Sequence, residues 1–177
     1  MHARMKVARG ISVAATATLL GGATLMGMTP AYAAPTFVLP PKDACEAQGF
    51  SLGVEFVGDA PEIREFFDKK GNKVREIQAG RGRTIVYTNE TTPTADDTIT
   101  VKTPGSVTRR EFNSDGSYTA YATGFNGLIL TSGDEGDPSA KHYKGRLVYT
   151  VSADEVFEFV SFRGQERDIC AELDSLA

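Results

Sequence analysis

Between Phe50 and Arg163 the chain alternates apolar and polar residues in short runs, and a turn signal interrupts almost every run. Phe50, Leu52, Val54 and Phe56 alternate with Ser51, Gly53 and Glu55, the pattern of a strand with one buried face. Glu62 to Asp68 and Lys73 to Gln78 flank Lys69-Lys70-Gly71-Asn72, a hairpin signal. Arg83 to Asn89 and Thr98 to Lys102 follow, separated by the polar loop Glu90 to Asp97. Ser106 to Phe112 and Ser117 to Thr123 straddle Asn113-Ser114-Asp115-Gly116, the strongest turn in the chain. Gly127 to Thr131 is short and apolar, Ser132 to Ala140 reads as an acidic surface loop, and His142 to Ser152 with Val156 to Arg163 makes a last long hairpin. Gln165 to Leu173 returns as a strand or a short helix. The pattern predicts an all-β domain, a single antiparallel meander of about 8–10 strands. Closure into a barrel is the preferred architecture because it removes exposed strand edges; a two-sheet sandwich is the alternative.

Two cysteines bracket this run. Cys45 and Cys170 lie near its opposite ends, and in an exported chain a lone pair is most simply a disulfide. Such a bond would tie the two ends of the domain together and stabilise by about 4–5 kcal/mol in the chain-entropy account. The spacing fits neither a Cys-x-x-Cys redox pair nor a zinc set.

Export is read from the N-terminus. Arg4, Lys6 and Arg9 precede an uncharged stretch from Ile11 to Met28, and Ala31-Tyr32-Ala33 closes it in the small-x-small pattern of a signal-peptidase site. Three glycines dilute the stretch and Pro30 stops it, which favours a cleaved leader over a membrane anchor. No Arg-Arg pair is present, so the general secretory route is expected. The organisation is then a signal peptide over 1–33, an extended Pro-rich arm over 34–44 and one β-domain over 45–177. The product is expected to be secreted, extracellular, monomeric and free of stable membrane insertion.

The leader holds three of the chain's 19 Lys+Arg and none of its 23 Asp+Glu, so its removal moves the formal charge from −4 to −7. An acidic product disfavours nucleic acid as a partner. An extracellular ligand or protein is the expected partner.

Several segments carry a resemblance: Gly71-Asn72-Lys73-Val74-Arg75-Glu76-Ile77, Gly105-Ser106-Val107-Thr108-Arg109, Asn113-Ser114-Asp115-Gly116-Ser117, Asn126-Gly127-Leu128-Ile129-Leu130, Gly145-Arg146-Leu147-Val148-Tyr149-Thr150 and Asp168-Ile169-Cys170. In them the chain resembles uncharacterised small secreted proteins of high-GC Gram-positive (actinobacterial) bacteria. The resemblance implies an exported β-domain and transfers no catalytic residue.

Few residues point to chemistry. His142 is the only histidine after the leader; it shares a strand face with Lys144 and Arg146 and reads as a surface residue. No Gly-x-Ser-x-Gly elbow accompanies any serine, which disfavours a serine hydrolase. Asp134-Glu135-Gly136-Asp137 fails as a calcium loop because its twelfth position is Gly145 rather than a glutamate. No metal and no cofactor is expected. Arg75, Arg81 and Arg83 cluster around one hairpin and Arg109-Arg110 lie on the strand before the Asn113 turn; of these Arg75, Arg83 and Arg109 are candidates for gripping an anionic ligand, with pairing to glutamates such as Glu76 and Glu111 as the plainer reading.

Glu158 is the one charge in the apolar run Val156 to Val160. If it pairs with Tyr149 it points inward and could serve as a general acid or base. If a three-residue turn instead pairs it with Thr150, it points outward and Tyr149 joins the core with Phe157 and Phe159. The second register is preferred because it sorts the aromatics more cleanly. The missing catalytic sets favour a binding or interaction module for a small molecule, a cell-wall component or a protein. A cofactor-independent isomerase or hydrolase using Glu158 and Tyr149 is the alternative, and a protease inhibitor presenting the Ser132 to Ala140 loop is a further one.

Overall fold

A computed structural model describes residues 36–91, 97–136 and 138–177. The leader, most of the 90–97 loop and Asp137 lie outside the described residues. Ten strands and one short α-helix follow in order, with a single 3-10 turn at Pro41–Asp43 between the first two strands: β1 (Phe37–Leu39), β2 (Leu52–Val57), β3 (Glu62–Phe67), β4 (Lys73–Ala79), β5 (Thr84–Asn89), β6 (Thr98–Lys102), β7 (Val107–Phe112), β8 (Tyr118–Leu130), β9 (Ser139–Val151), β10 (Phe157–Asp168) and α1 (Ile169–Asp174). All pairings are antiparallel. They form two sheets, a small one ordered β1-β2-β5-β6 and a large one ordered β10-β9-β8-β7-β4-β3. The preferred closed barrel is therefore corrected to a two-sheet sandwich: β3 and β10 end the large sheet without pairing to each other. The Pro-rich arm is only partly an arm, since Phe37–Leu39 pairs with Leu52–Val54 as β1.

The physical reason for two sheets rather than a barrel lies in a row of three glycines. Gly124, Gly145 and Gly164 stand opposite one another across β8, β9 and β10, with φ of +84°, +145° and +153°. A Cβ on Gly145 would overlap the Arg163 carbonyl, and one on Gly164 would overlap that of Lys144. Side chains from either side of this row meet. The rings of Tyr143 and Phe159 lie 5.7 Å apart, although in register Phe159 stands opposite Tyr149, six residues along β9. On a flat sheet that offset is about 20 Å. The three strands are thus bent back at the glycine row, and the sheet covers its own inner face instead of closing around a circle.

This bend creates two cores. On the concave side, Ala120, Ala122, Leu147, Tyr149, Val151 and Phe157 from before the bend pack with Leu130 and Tyr143 from beyond it. The convex side carries Ile129 and Ala140 against the small sheet, whose Leu52, Val54, Ile85, Tyr87, Ile99 and Val101 face them. The helix α1 completes this second core with Ile169, Cys170 and Leu173; Asp168 caps it, its Oδ1 accepting the Ala171 N–H at 2.9 Å. Cys170 is bonded to Cys45 with Cα atoms 5.5 Å apart, so the disulfide is buried in the small-sheet core. Each fully buried Leu or Ile there contributes about 1.5–3 kcal/mol.

The loop after β8 is fastened rather than solvated. Asp134 is 7% exposed; its carboxylate accepts the N–H of Thr131 at 2.7 Å and that of Phe157 at 2.8 Å. The Glu135 N–H donates to the Phe157 carbonyl at 3.0 Å, and its carboxylate accepts the Phe159 N–H at 2.6 Å. The loop therefore covers the first residues of the β10 edge, up to a bulge at Val160.

Gly145→Ala is expected to cost about 3 kcal/mol or more, read as the urea midpoint of the oxidised protein. Gly116→Ala also meets a positive φ, +90°, but open space, and should cost only about 1 kcal/mol. Equal losses at the two positions would remove close approach as the reason for the glycine row.

Candidate functional site

Beside the bend the two sheets part and leave a cleft of about 300 Å³. The large sheet supplies Gln78 from β4, Thr108 and Arg110 from β7, Ala122 from β8 and Tyr149 from β9. Past Gly124 the wall continues through Phe125, Asn126, Gly127 and Leu128, while the small sheet contributes Phe56 and Ile85. Asp59, Pro61, Gly82, Arg83 and Thr103 form the mouth. The lining mixes an apolar wall with a few placed polar groups, and its size is at the lower end of small-ligand pockets.

Arg110 is a half-buried charge on this wall. Its Nη1 donates to Glu76 Oε1 and, at 3.2 Å, to Gln78 Oε1. Glu76 is 8% exposed and also receives Lys73 Nζ at 3.1 Å; the same Lys73 reaches Glu65 at 3.1 Å. Burial works against the Glu76 carboxylate, but the Lys73 hydrogen bond and the charge of Arg110 outweigh it and hold the group below its usual range. Burial likewise opposes the Arg110 charge, and Tyr149 and Glu76 more than offset it. The result is a neutralised floor fixed in position.

Arg83 at the mouth is positioned differently. Its backbone N–H donates to Thr103 Oγ1 at 2.9 Å, and the Thr103 hydroxyl donates back to the Arg83 carbonyl at 2.9 Å. The side-chain Nε donates to the Asp59 carbonyl at 2.9 Å, and the guanidinium lies 5.3 Å from the Phe56 ring centroid. No carboxylate pairs with it among the described residues.

The other candidates from the sequence are spread over the molecule. Arg75 stacks over Phe66 at 4.6 Å, and Arg109 stacks over Tyr121 at 4.5 Å while pairing with Glu111 at 3.6 Å. Neither lines the cleft. Glu158 stands opposite Thr150 and Tyr149 opposite Phe159, and the turn between them closes with Ser152 N–H donating to Val156 O at 2.9 Å around a three-residue loop. Glu158 is exposed and lines a separate polar hollow of about 290 Å³ with Thr150 and Asp115. Tyr149 packs its ring 4.8 Å from Phe157. Alternation along the two strands puts Glu158 and Tyr149 on opposite faces, so they share no site.

The reading of His142 as a surface residue is overturned: it is 2% exposed. Both faces of β9 are covered beyond the bend, and the His142 face meets the small sheet. Its ring lies 6.0 Å from that of Phe125, with Gly127 directly opposite and Nε2 buried without a hydrogen-bond partner among the described residues. Among the described residues no group of His, Cys, Asp and Glu could hold a metal ion.

Sequence reasoning missed Gln78, Thr108 and Asn126, and it put Arg109 ahead of its neighbour Arg110. In Val107 to Phe112 the residues Thr108, Arg110 and Phe112 alternate with Val107, Arg109 and Glu111. Both faces read as half polar, so the pattern does not say which one turns inward. The pairing Glu76↔Arg110 across β4 and β7 was the available signal, once the strand order is known.

Burial, helped by the Arg167 charge and opposed by Glu172, lowers the His142 pKa from 6.5 to about 4. The unfolded chain then takes up a proton below pH 6.5 that the folded chain refuses, so stability falls as pH drops from 6.5 to about 4. The loss should be on the order of 2–3 kcal/mol across that window. Below it, protonation of Glu76, whose pKa is lowered from 4.5, removes more. In urea titrations against pH, His142→Leu is expected to flatten the upper part of the curve; an unchanged slope would show that another group is responsible. Comparison with protein families, with curated proteins and with solved structures gives no match to this chain, and the site stands on its own residues.

Proposed function

We propose that this chain is an exported β-domain that holds a small organic molecule in the cleft between its two sheets. The observation that carries this reading is the cleft itself: about 300 Å³, walled by Phe56, Ile85, Phe125 and Leu128 and floored by fixed polar groups. Protein interiors are otherwise close-packed, and an arginine with a glutamine, a threonine and an asparagine beside it gives a ligand directional contacts. Export is supported by the leader and by the buried Cys45–Cys170 bond. No helix among the described residues is long and apolar enough to cross a membrane. The enzyme reading loses its carboxylate–tyrosine pair, because Glu158 and Tyr149 face opposite ways. The inhibitor reading loses its protruding loop, because Asp134 and Glu135 bind that segment to β10.

Native mass spectrometry of protein recovered from the medium of an exporting bacterial host is expected to show a bound small molecule on the oxidised chain. Thr108→Phe, which fills the cleft from a half-buried position, should yield the bare mass with unchanged circular dichroism. Bare mass for both proteins, or the same adduct on both, would contradict the reading.

A further inference from the structure

Resting on that small-ligand reading, we infer that the cleft selects an organic carboxylate with a flat apolar body. Its carboxylate is taken by the Arg83 guanidinium at the mouth, and its body lies against Phe56 and Phe125. Three features of the mouth lead there. The first is orientation: with the Arg83 backbone locked to Thr103 and Nε held by the Asp59 carbonyl at 2.9 Å, one edge of the guanidinium is spent on the protein. The edge formed by the two terminal nitrogens remains, and that edge matches the two oxygens of a carboxylate. The second is charge. Arg110 is neutralised by Glu76, whereas Arg83 has no carboxylate partner among the described residues. On a chain with more acidic than basic residues, an uncompensated arginine at a cleft mouth is a local attraction for an anion.

The third feature is the apolar shelf. On the inner face of the small sheet Leu52 and Val54 are buried, but the next residue in that row, Phe56, is 39% exposed, and its neighbour Phe37 is 36% exposed. Their rings lie 5.9 Å apart. Here the inner face runs past the cover that the large sheet provides, so aromatic surface meets water immediately beside Arg83. A flat apolar group laid on this shelf would remove that surface from water and bring its acid group to the guanidinium. Gln78 and Asn126 offer amide groups in the same cleft to a polar substituent on that body.

The test uses the oxidised protein recovered from the medium, labelled with nitrogen-15, and three probes with one body: 3-phenylpropionate, 3-phenylpropionamide and 3-phenylpropylamine. The acid is expected to shift the backbone amides of Gly82, Arg83, Asn126 and Gly127 and to bind about tenfold tighter than the amide, with the amine weakest. Arg83→Gln should erase the preference for the acid with the melting temperature kept within a few degrees, and Arg83→Lys should restore only part of it. Equal affinities for acid and amide, or an acid preference that survives Arg83→Gln, would overturn the ligand class while leaving the cleft as a binding site. Failure of these probes and of a mixed-charge fragment set to shift any of the four amides would overturn the binding reading itself.

Discussion

Where β8, β9 and β10 cross the row Gly124, Gly145 and Gly164, neighbouring backbones approach more closely than a side chain permits. Each of the three residues has φ in the range that L side chains rarely adopt. Much of the architecture depends on this contact. A flat six-stranded sheet of these strand lengths would set Asp134 about 40 Å from Phe157, since Ser139 and Val151 are twelve residues apart along β9. In the protein their atoms are 2.8 Å apart. Bending the strands makes one sheet serve two cores, and it brings a loop from the far end of β8 back to cover the edge at the start of β10.

The two cores have different jobs. The convex one is closed by the small sheet, by α1 and by the Cys45–Cys170 bond, which fastens the entry and exit of the domain together. The concave one is built of aromatic rings at mutual distances of 4.8–5.7 Å. Neither extends fully across the inner face of the large sheet. The strands β4 and β7 carry Gln78, Thr108 and Arg110 there instead of apolar residues, and the space before them is the cleft. The site is thus a consequence of the bend: where the sheet turns away from the small sheet, packing gives out and polar side chains line the gap.

Much of the fold was legible in the sequence because it rests on local patterns. Period-two alternation located nearly every strand, and the three-residue turn after Val151 set the register that turns Glu158 outward. Two misreadings share one cause. Glycines at 124 and 164 look like interruptions, so the alternation ends one strand at Thr123, starts another at Gly127 and ends the last at Arg163. They are bends inside continuous strands, and only their partner across the sheet, Gly145, reveals that. The same bend hid His142, which follows the alternation of a half-exposed strand but lies where both faces are covered. It also decides between Arg109 and Arg110, since which of the two faces the cleft depends on which side of the sheet becomes concave. Tied ends and edge protection both favour closure into a barrel; here the tie is made without closure, and a folded-back loop protects part of the edge.

The most direct test of the bend is a nuclear Overhauser spectrum of the oxidised protein in solution, assigned for its aromatic rings. Cross-peaks from the Tyr143 ring to the rings of Phe159 and Phe162, whose centroids lie 5.7 and 5.0 Å away, are the predicted result, together with contacts from Leu130 to the side chains before the glycine row. A spectrum in which Tyr143 shows only its in-register neighbours Asn126 and Glu166 would mean that the long strands run straight, and the cleft would lose its wall.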